Sequence, residues 1–176
     1  MVVDQIGEIA DGVYMLGHRA VPVFLVDGDR PALFDAGLAF LGPVYARQIR
    51  QVLGDRQPAW CFLTHSHFDH CGAAAYLKTQ FPKMQVVCSE KAANIFDRPN
   101  AISLIFDLNQ FAAGMAVDFG VDAGDTTFES FSVDATAEEG ACFEISPDLT
   151  VLAMETPGHT WDFLSYSIPP TKLVVA

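Results

Sequence analysis

An apolar segment that ends in a cluster of metal-binding side chains constrains this sequence more than any other feature. Residues 59–63, Ala-Trp-Cys-Phe-Leu, form an uninterrupted apolar run of strand length, which predicts a buried strand. The residues that follow lead into a helix predicted from Gly72 to Phe81. This junction of strand and helix places four potential ligands within six residues: His65, His67, Asp69 and His70.

The spacing of these four side chains suits a metal centre. His65 and His67 are two positions apart, so both imidazoles can face one point as the chain leaves the strand. Asp69 and His70 stand at the helix start and can face a neighbouring point. Imidazole, carboxylate and water suit Zn(II), Fe(II) or Mn(II), and the absence of a thiolate ligand disfavours a purely structural zinc site. Since three of the five histidines fall in this one loop, we expect a metal site rather than capping or packing roles.

The remaining pattern alternates strands and helices, and it predicts a layered α/β protein of one domain. The chain has 176 residues, 51% of them hydrophobic, which is enough for one core. Ser89 can cap the helix that follows it. The predicted helices are Gly42–Leu53 and a phenylalanine-rich helical segment over residues 90–119, and the predicted strands are Val13–Leu16, a hairpin of Val21–Val26 and Ala32–Phe34, Gln85–Cys88, Phe131–Asp134, Ala141–Ile145, Leu149–Glu155, Phe163–Ile168 and Lys172–Ala176.

Charge and composition exclude some partners. The net charge is −12, and no Lys or Arg occurs between Pro99 and Thr171, where twelve acidic residues lie. Nucleic acid is therefore excluded as a partner, because its binding depends on Lys and Arg. No apolar run approaches the roughly 20 residues of a membrane span, and residues 1–5 lack a secretion signal, so we expect a cytoplasmic protein without a membrane partner. The four cysteines, without a C-x-x-C pair, are expected to be reduced thiols.

The motif H-x-H-x-D-H after an apolar strand resembles the signature of the metallo-β-lactamase superfamily. Two further segments are similar to motifs of that family: residues 33–37, which end in an Asp-x-Gly turn, and residues 156–160, Thr-Pro-Gly-His-Thr, which resemble its second metal-binding loop. The resemblance implies a four-layer αββα sandwich over residues 1–176. It also assigns His65, His67 and His159 to one metal ion.

The resemblance gives roles to other residues near the motif. Asp69 and His70 would bind a second ion, and Asp69 would also act in catalysis by orienting the reacting water or accepting its proton. Asp35 would either orient a ligand imidazole or serve as an ordinary turn residue, and Thr64 would anchor the loop backbone. Among the remaining candidates, we expect His18 at the surface and Cys71 as a packed thiol, while Trp161 and Asp162 could face the substrate or support the ligands. No substrate-binding residue is assigned.

The family pattern breaks off at the end of this sequence. A complete site of the family has a bridging aspartate after an apolar strand and a final histidine, and the sequence ends with the strand predicted at Lys172–Ala176. We therefore expect that the second half of the fold is incomplete in this chain, through C-terminal truncation. The intact fold would bind two divalent ions, Zn, Fe or Mn, of which this chain would hold at most one tightly. Uncovered apolar strand faces would favour association as a homodimer.

The resemblance implies a hydrolase in which a metal-bound hydroxide attacks an ester or thioester carbonyl. The acyl-thioester hydrolases of the superfamily, in particular the quinolone-signal response thioesterases of pseudomonads, are similar at Val21–Leu25, at Thr64–Gly72, at Ser89-Glu90-Lys91 and at Gly158-His159 with Asp162. Residues 90–119 would then form a lid that binds a hydrophobic acyl group, although core packing is expected for at least one of Phe106 and Phe111. The alternatives are a lactonase or glyoxalase-II-like hydrolase, a mononuclear-iron persulfide dioxygenase, and a non-catalytic regulatory protein that retains the metal loop.

Overall fold

The computed structural model of the protein describes residues 6–122 and 126–176. Residues 1–5, in which no secretion signal is expected, lie outside the described residues, and so does Gly124, after which strands are predicted to resume. The strands are β1 Gly7–Ala10, β2 Val13–His18, β3 Val21–Val26, β4 Ala32–Phe34, β5 Trp60–Phe62, β6 Gln85–Ser89, β7 Ala135–Ala137, β8 Cys142–Ser146, β9 Leu149–Glu155, β10 Leu164–Ile168 and β11 Leu173–Val175. The α-helices are α1 Gly42–Leu53, α2 Phe68–Cys71, α3 Ala74–Gln80, α4 Glu90–Phe96 and α5 Pro99–Ala113, and short 3₁₀ helices cover Ala39–Leu41, Ala116–Phe119 and Pro169–Thr171.

The larger sheet has its strands in the order β1 to β7 and changes from antiparallel to parallel pairing at β4. The predicted hairpin is confirmed, because β3 and β4 pair antiparallel with Phe24 opposite Phe34. Strands β4, β5, β6 and β7 pair in parallel. The carboxyl ends of parallel strands meet at one edge of a sheet. The chain therefore leaves β4, β5 and β6 at the same edge, and residues 35–37, 63–70 and 89 lie there together.

Helices cover one face of the larger sheet. The helix predicted over Gly42–Leu53 is confirmed as α1, whose Tyr45, Ile49 and Leu53 are buried at helical spacing. Gly54 ends the helix with φ = 62°, a conformation that glycine adopts without steric cost. Helix α4 begins as predicted, since the Ser89 hydroxyl accepts a hydrogen bond from the Ala92 N–H at 3.0 Å. These helices and the sheet enclose the first hydrophobic core.

The second sheet has the order β11-β10-β9-β8 and is antiparallel. One row of paired residues, Val175, Tyr166 and Ala153, is buried against the larger sheet, where the Tyr166 ring lies 5.1 Å from that of Phe62. The opposite face carries exposed residues, among them Val174. The mixed α/β class is confirmed, and the described residues supply three layers in the order helices, sheet, sheet.

The strand predicted at Phe131–Asp134 is wrong, because the strand that forms is β7, Ala135–Ala137. Asp134 explains the shift. Its backbone N–H donates to the Val86 carbonyl, and its carboxylate accepts the Val86 N–H at 2.7 Å. A side chain thus takes the place of a backbone acceptor at this point, and regular pairing with β6 begins only at the next residue.

The helical segment predicted at residues 90–119 is confirmed, but the expected core position of Phe106 or Phe111 is wrong. Their side chains are 41% and 74% exposed. The buried residues of α5 are Ile105, Asn109 and Ala112, which share one face at 100° per residue. Phe106 lies on one flank of that face and Phe111 on the other, so the two rings cannot both face one pocket.

Cys61, Cys71 and Cys88 are buried and Cys142 is exposed, and all four are free thiols. Among the described residues, the helices are all too short or too polar to cross a membrane.

Candidate metal centre

The predicted metal loop follows β5 at the edge where both sheets end. Backbone hydrogen bonds fix the start of this loop: the Leu63 N–H donates to Val87 of β6, and the Leu164 N–H donates to the Thr64 carbonyl at 2.8 Å. Residues 156–162, the loop between β9 and β10, are thereby brought beside residues 65–70. The fold thus unites two loops that are about ninety residues apart in the sequence.

Three of the five predicted ligands converge. One donor atom from each of His65, His67 and His159 can be chosen so that all three lie within 4.8 Å of one another. His67 Nδ1 and His159 Nε2 are 3.2 Å apart. Two imidazole nitrogens on one tetrahedral zinc ion lie about 3.3 Å apart, given metal–nitrogen bonds of about 2.0–2.1 Å. The three side chains can therefore hold a metal ion.

The surroundings of His65 leave one ring nitrogen free. The imidazole is buried, with 1% exposure, and stacks on Phe163 at 4.7 Å. Its Nδ1 shares a 2.9 Å hydrogen bond with the Thr64 hydroxyl, whose single proton goes to the Asp35 carboxylate. Thr64 must then accept from Nδ1–H, so that Nε2 carries a lone pair. Nε2 is buried without a hydrogen-bond partner, as expected of an atom whose partner is a metal ion.

The charge state of the histidines also suits metal binding. Burial, together with the neighbouring histidines His70 and His67, lowers the pKa of His65 to about 3. Burial and the proximity of His159 likewise lower the pKa of His67. Both rings are neutral at physiological pH, and only the neutral ring can donate a lone pair to a metal ion.

Asp35 lies where it can orient His70. Its side chain is 5% exposed, and its Oδ2 accepts a 2.8 Å hydrogen bond from His70 Nδ1, which leaves His70 Nε2 free. Its Oδ1 accepts the Thr64 N–H at 2.8 Å. Burial alone lowers the pKa of His70, but the hydrogen bond and charge of Asp35, with the charge of Asp69, raise it overall. Thr64 anchors the loop through the same carboxylate.

The two predicted ligands of a second ion lie beside the three histidines but outside their group. Asp69 and His70 belong to α2, and Asp69 Oδ2 lies 3.9 Å from His70 Nε2. The His70 ring centre is 4.1 Å from that of His65. A carboxylate and an imidazole thus lie beside the three histidines and could bind a second ion. They offer two donors there, whereas the first group offers three.

Asn109 is a residue of this region that sequence reasoning missed. It lies in α5 with 2% exposure, accepts the Ala39 N–H at 3.0 Å, and donates to the Phe68 carbonyl of the metal loop at 3.3 Å. Gly72 permits this approach, because a Cβ at that position would lie 2.6 Å from Asn109 Oδ1. An asparagine inside an otherwise apolar helical stripe was the available signal.

The other nominated residues divide between surface and interior. His18 is partly exposed and contacts Phe119, with ring centres 4.6 Å apart, and Cys71 is a buried thiol as expected. Trp161 is 86% exposed, whereas Asp162 is 3% exposed and accepts the Ser66 N–H at 2.8 Å.

A cavity of about 240 Å³ is lined by residues 157–161 and so adjoins His159. A larger cavity, of about 420 Å³, lies between α4 and residues 131–136. Its ionisable side chains are Asp97 and Asp134, the latter paired with Lys78, so it offers no imidazole for a transition metal. The smaller cavity is therefore the better candidate for a substrate site.

The family model of the metallo-beta-lactamase superfamily matches residues 16–176. This chain belongs to that superfamily.

Solved metallo-beta-lactamases share its fold. A HARLDQ-motif mutant from Cronobacter sakazakii is 24% identical with a TM-score of 0.72, over 96% of this chain and 62% of its own. The subclass B3 enzyme BJP-1 from Bradyrhizobium japonicum is 21% identical with a TM-score of 0.67, over 92% of this chain and 55% of its own. FEZ-1 from Legionella gormanii is 21% identical with a TM-score of 0.66, over 96% and 60%. The chain thus spans less than two thirds of the length of each.

Proposed function

We propose that this protein is a metal-dependent hydrolase that cleaves an ester or thioester bond. The observation that carries the proposal is the set of three imidazoles, His65, His67 and His159, with one buried ring nitrogen left without a partner. Such a set of neutral donors keeps a coordination position open, as catalytic zinc sites do and closed structural sites do not. Membership of a superfamily whose members are generally hydrolases supports this choice.

A divalent ion held by these histidines would lower the pKa of a coordinated water toward neutrality and polarise a carbonyl oxygen. The chain's own residues supply the remaining functions. Asp69, whose side chain is 35% exposed, can orient a water or accept its proton at Oδ2. Asp35 keeps the His70 ring turned so that Nε2 faces Asp69. No serine or cysteine nucleophile is needed, which agrees with the burial of the Cys71 thiol.

The charge distribution favours a substrate whose leaving group carries no phosphates. No Lys or Arg occurs between Pro99 and Thr171. Lys91, just after the end of β6 that adjoins the site, is already paired with Glu155, and Lys78 is paired with Asp134 at the opposite end of β6. A coenzyme A ester would therefore find few free cations, whereas a hydrophobic acyl group needs none and can use one apolar flank of α5 as a lid.

Hydrolysis assays test the proposal directly. The zinc- or iron-loaded protein should cleave a short-chain thioester of N-acetylcysteamine at least as fast as the coenzyme A thioester with the same acyl group. His67→Ala should abolish turnover, and His18→Ala, which alters a histidine away from the cluster, should retain it. Hydrolysis of lactones alone would redirect the proposal to a lactonase, and equal rates in the wild type and His67→Ala would refute a metal-dependent reaction at this site.

A further inference from the structure

We infer that Asp162 is a positioning residue that sets the spacing between the two metal-binding loops. The inference rests on the proposed metal-dependent function. It concerns how the chain fixes the positions of its three histidines relative to one another. Asp162 is three residues beyond His159, and Ser66 is the residue between His65 and His67. One hydrogen bond, from the Ser66 N–H to Asp162 Oδ2 at 2.8 Å, therefore joins the peptide between two ligands to the loop that bears the third.

The burial of this contact makes it sensitive to substitution. Asp162 is 3% exposed and Ser66 is 9% exposed, so water cannot readily replace the carboxylate as acceptor for the Ser66 N–H. A buried N–H without an acceptor is strongly disfavoured, and the 65–67 backbone would move to find another one. Such a movement changes the direction of the flanking imidazoles. The relative positions of the three imidazoles therefore depend on Asp162.

The backbone of Asp162 is itself fixed to the larger sheet. The Ser89 hydroxyl, at the end of β6, donates to the Asp162 carbonyl at 2.7 Å and also caps α4. The position of the carboxylate is thus set by β6, a neighbour of the strand that carries the metal loop. A carboxylate held in this way resembles the outer hydrogen-bonding partners that orient metal ligands in proteins, whose loss typically costs about 10- to 100-fold in metal affinity.

Asp134, although more exposed and paired with Lys78, provides a control for the bond type. Its Oδ2 accepts the Val86 N–H at 2.7 Å, the same kind of carboxylate-to-backbone bond, but at the other end of β6 from the metal loop. Asp162→Asn keeps the shape and a neutral acceptor, which makes a weaker hydrogen bond than a carboxylate does. Asp162→Ala removes the acceptor. Asp134→Asn repeats the charge removal away from the site.

The test is the dissociation constant of Co(II), measured by competition with a chromophoric chelator, alongside the visible spectrum of the bound Co(II) and the melting temperature of each metal-free variant. We expect about 10- to 100-fold weaker binding for Asp162→Ala, an intermediate loss for Asp162→Asn, and a change below about twofold for Asp134→Asn. If Asp162→Ala does not fold, the comparison of Asp162→Asn with Asp134→Asn decides.

Wild-type affinity in the Asp162 variants, or an equal loss in Asp134→Asn, would overturn the positioning role while leaving the proposed function intact. Conversely, the Co(II) affinities of the variants could follow the expected order while the protein hydrolyses no ester or thioester. That result would refute the proposed function and leave the positioning role of Asp162 intact. A wild-type protein that binds no Co(II) would overturn both.

Discussion

Replacing Asp35 by alanine should destabilise the metal loop through two separate effects. The first is the loss of acceptors, because Asp35 accepts hydrogen bonds from the Thr64 N–H at 2.8 Å, the Thr64 hydroxyl at 2.9 Å and His70 Nδ1 at 2.8 Å. Leaving a buried N–H without an acceptor costs about 1–3 kcal/mol. The second is the backbone, since φ is 63° at Asp35, a left-handed conformation that costs most side chains about 1–2 kcal/mol and that Asp and Asn tolerate best. Asp35→Ala should therefore lower the free energy of unfolding by about 2–5 kcal/mol.

Asparagine separates these effects. Asp35→Asn keeps an acceptor for Thr64 and a side chain that tolerates positive φ, so the loss should be about 1–2 kcal/mol and should come from the weaker bond to His70. The pKa of His70 is raised in the folded protein, where the hydrogen bond and charge of Asp35 outweigh the lowering caused by burial. A raised pKa means that the stabilisation is complete below the ordinary histidine value of about 6.5 and is lost as the pH rises through the folded value. The difference between wild type and Asp35→Asn should therefore shrink with rising pH.

Urea unfolding of the metal-free variants, followed by circular dichroism at several pH values, measures these quantities. The reasoning would be refuted if Asp35→Ala unfolded within about 0.5 kcal/mol of the wild type, which is the range of ordinary surface substitutions. The free energies of unfolding of the wild type and Asp35→Asn could instead diverge with rising pH. That result would show that Asp35 does not stabilise protonated His70.

Three further predictions concern the supporting structure. Asn109→Ala removes the acceptor of a buried backbone N–H and should lower the free energy of unfolding by about 1–3 kcal/mol in a urea titration; an unchanged midpoint would contradict this. Thiol titration at pH 8 should give one fast equivalent, from exposed Cys142, because burial raises the pKa of Cys88 to about 12 and also excludes reagent from the other two thiols; two or more fast equivalents would be inconsistent. Phe111→Ala should change stability by less than about 0.5 kcal/mol while Phe96→Ala costs about 3–5 kcal/mol, and thermal melts that reverse this order would show that Phe111 is core.

Local sequence signals were sufficient for much of the fold. Helix α1 was predicted to its ends because Gly42-Pro43 can begin a helix and Gly54 can end one with positive φ. The hairpin of β3 and β4 was predicted from two apolar runs that are separated by turn residues. The candidate metal loop could be identified because its possible ligands are close in sequence and follow a buried strand.

Contacts between distant segments could not be predicted in the same way. Phe163 stacks on His65, and Asn109 bonds to the metal loop, only because the fold brings separate elements together. The Phe131–Asp134 strand failed for a similar reason, since a side chain of Asp134 competes with backbone pairing. The exposure of Phe106 depends on how α5 is rotated, and its apolar residues occupy too much of its circumference for sequence to decide that rotation.

Metal stoichiometry after equilibrium dialysis tests the central claim most directly. The protein is loaded with Zn(II), dialysed against a weak chelator and assayed by elemental analysis, in parallel with His67→Ala and His18→Ala. We predict one tightly held ion per chain in the wild type and in His18→Ala, because three donors converge in one group while Asp69 and His70 are only two. His67→Ala should retain almost none. An equal metal content in His67→Ala and the wild type would contradict the assignment of this site.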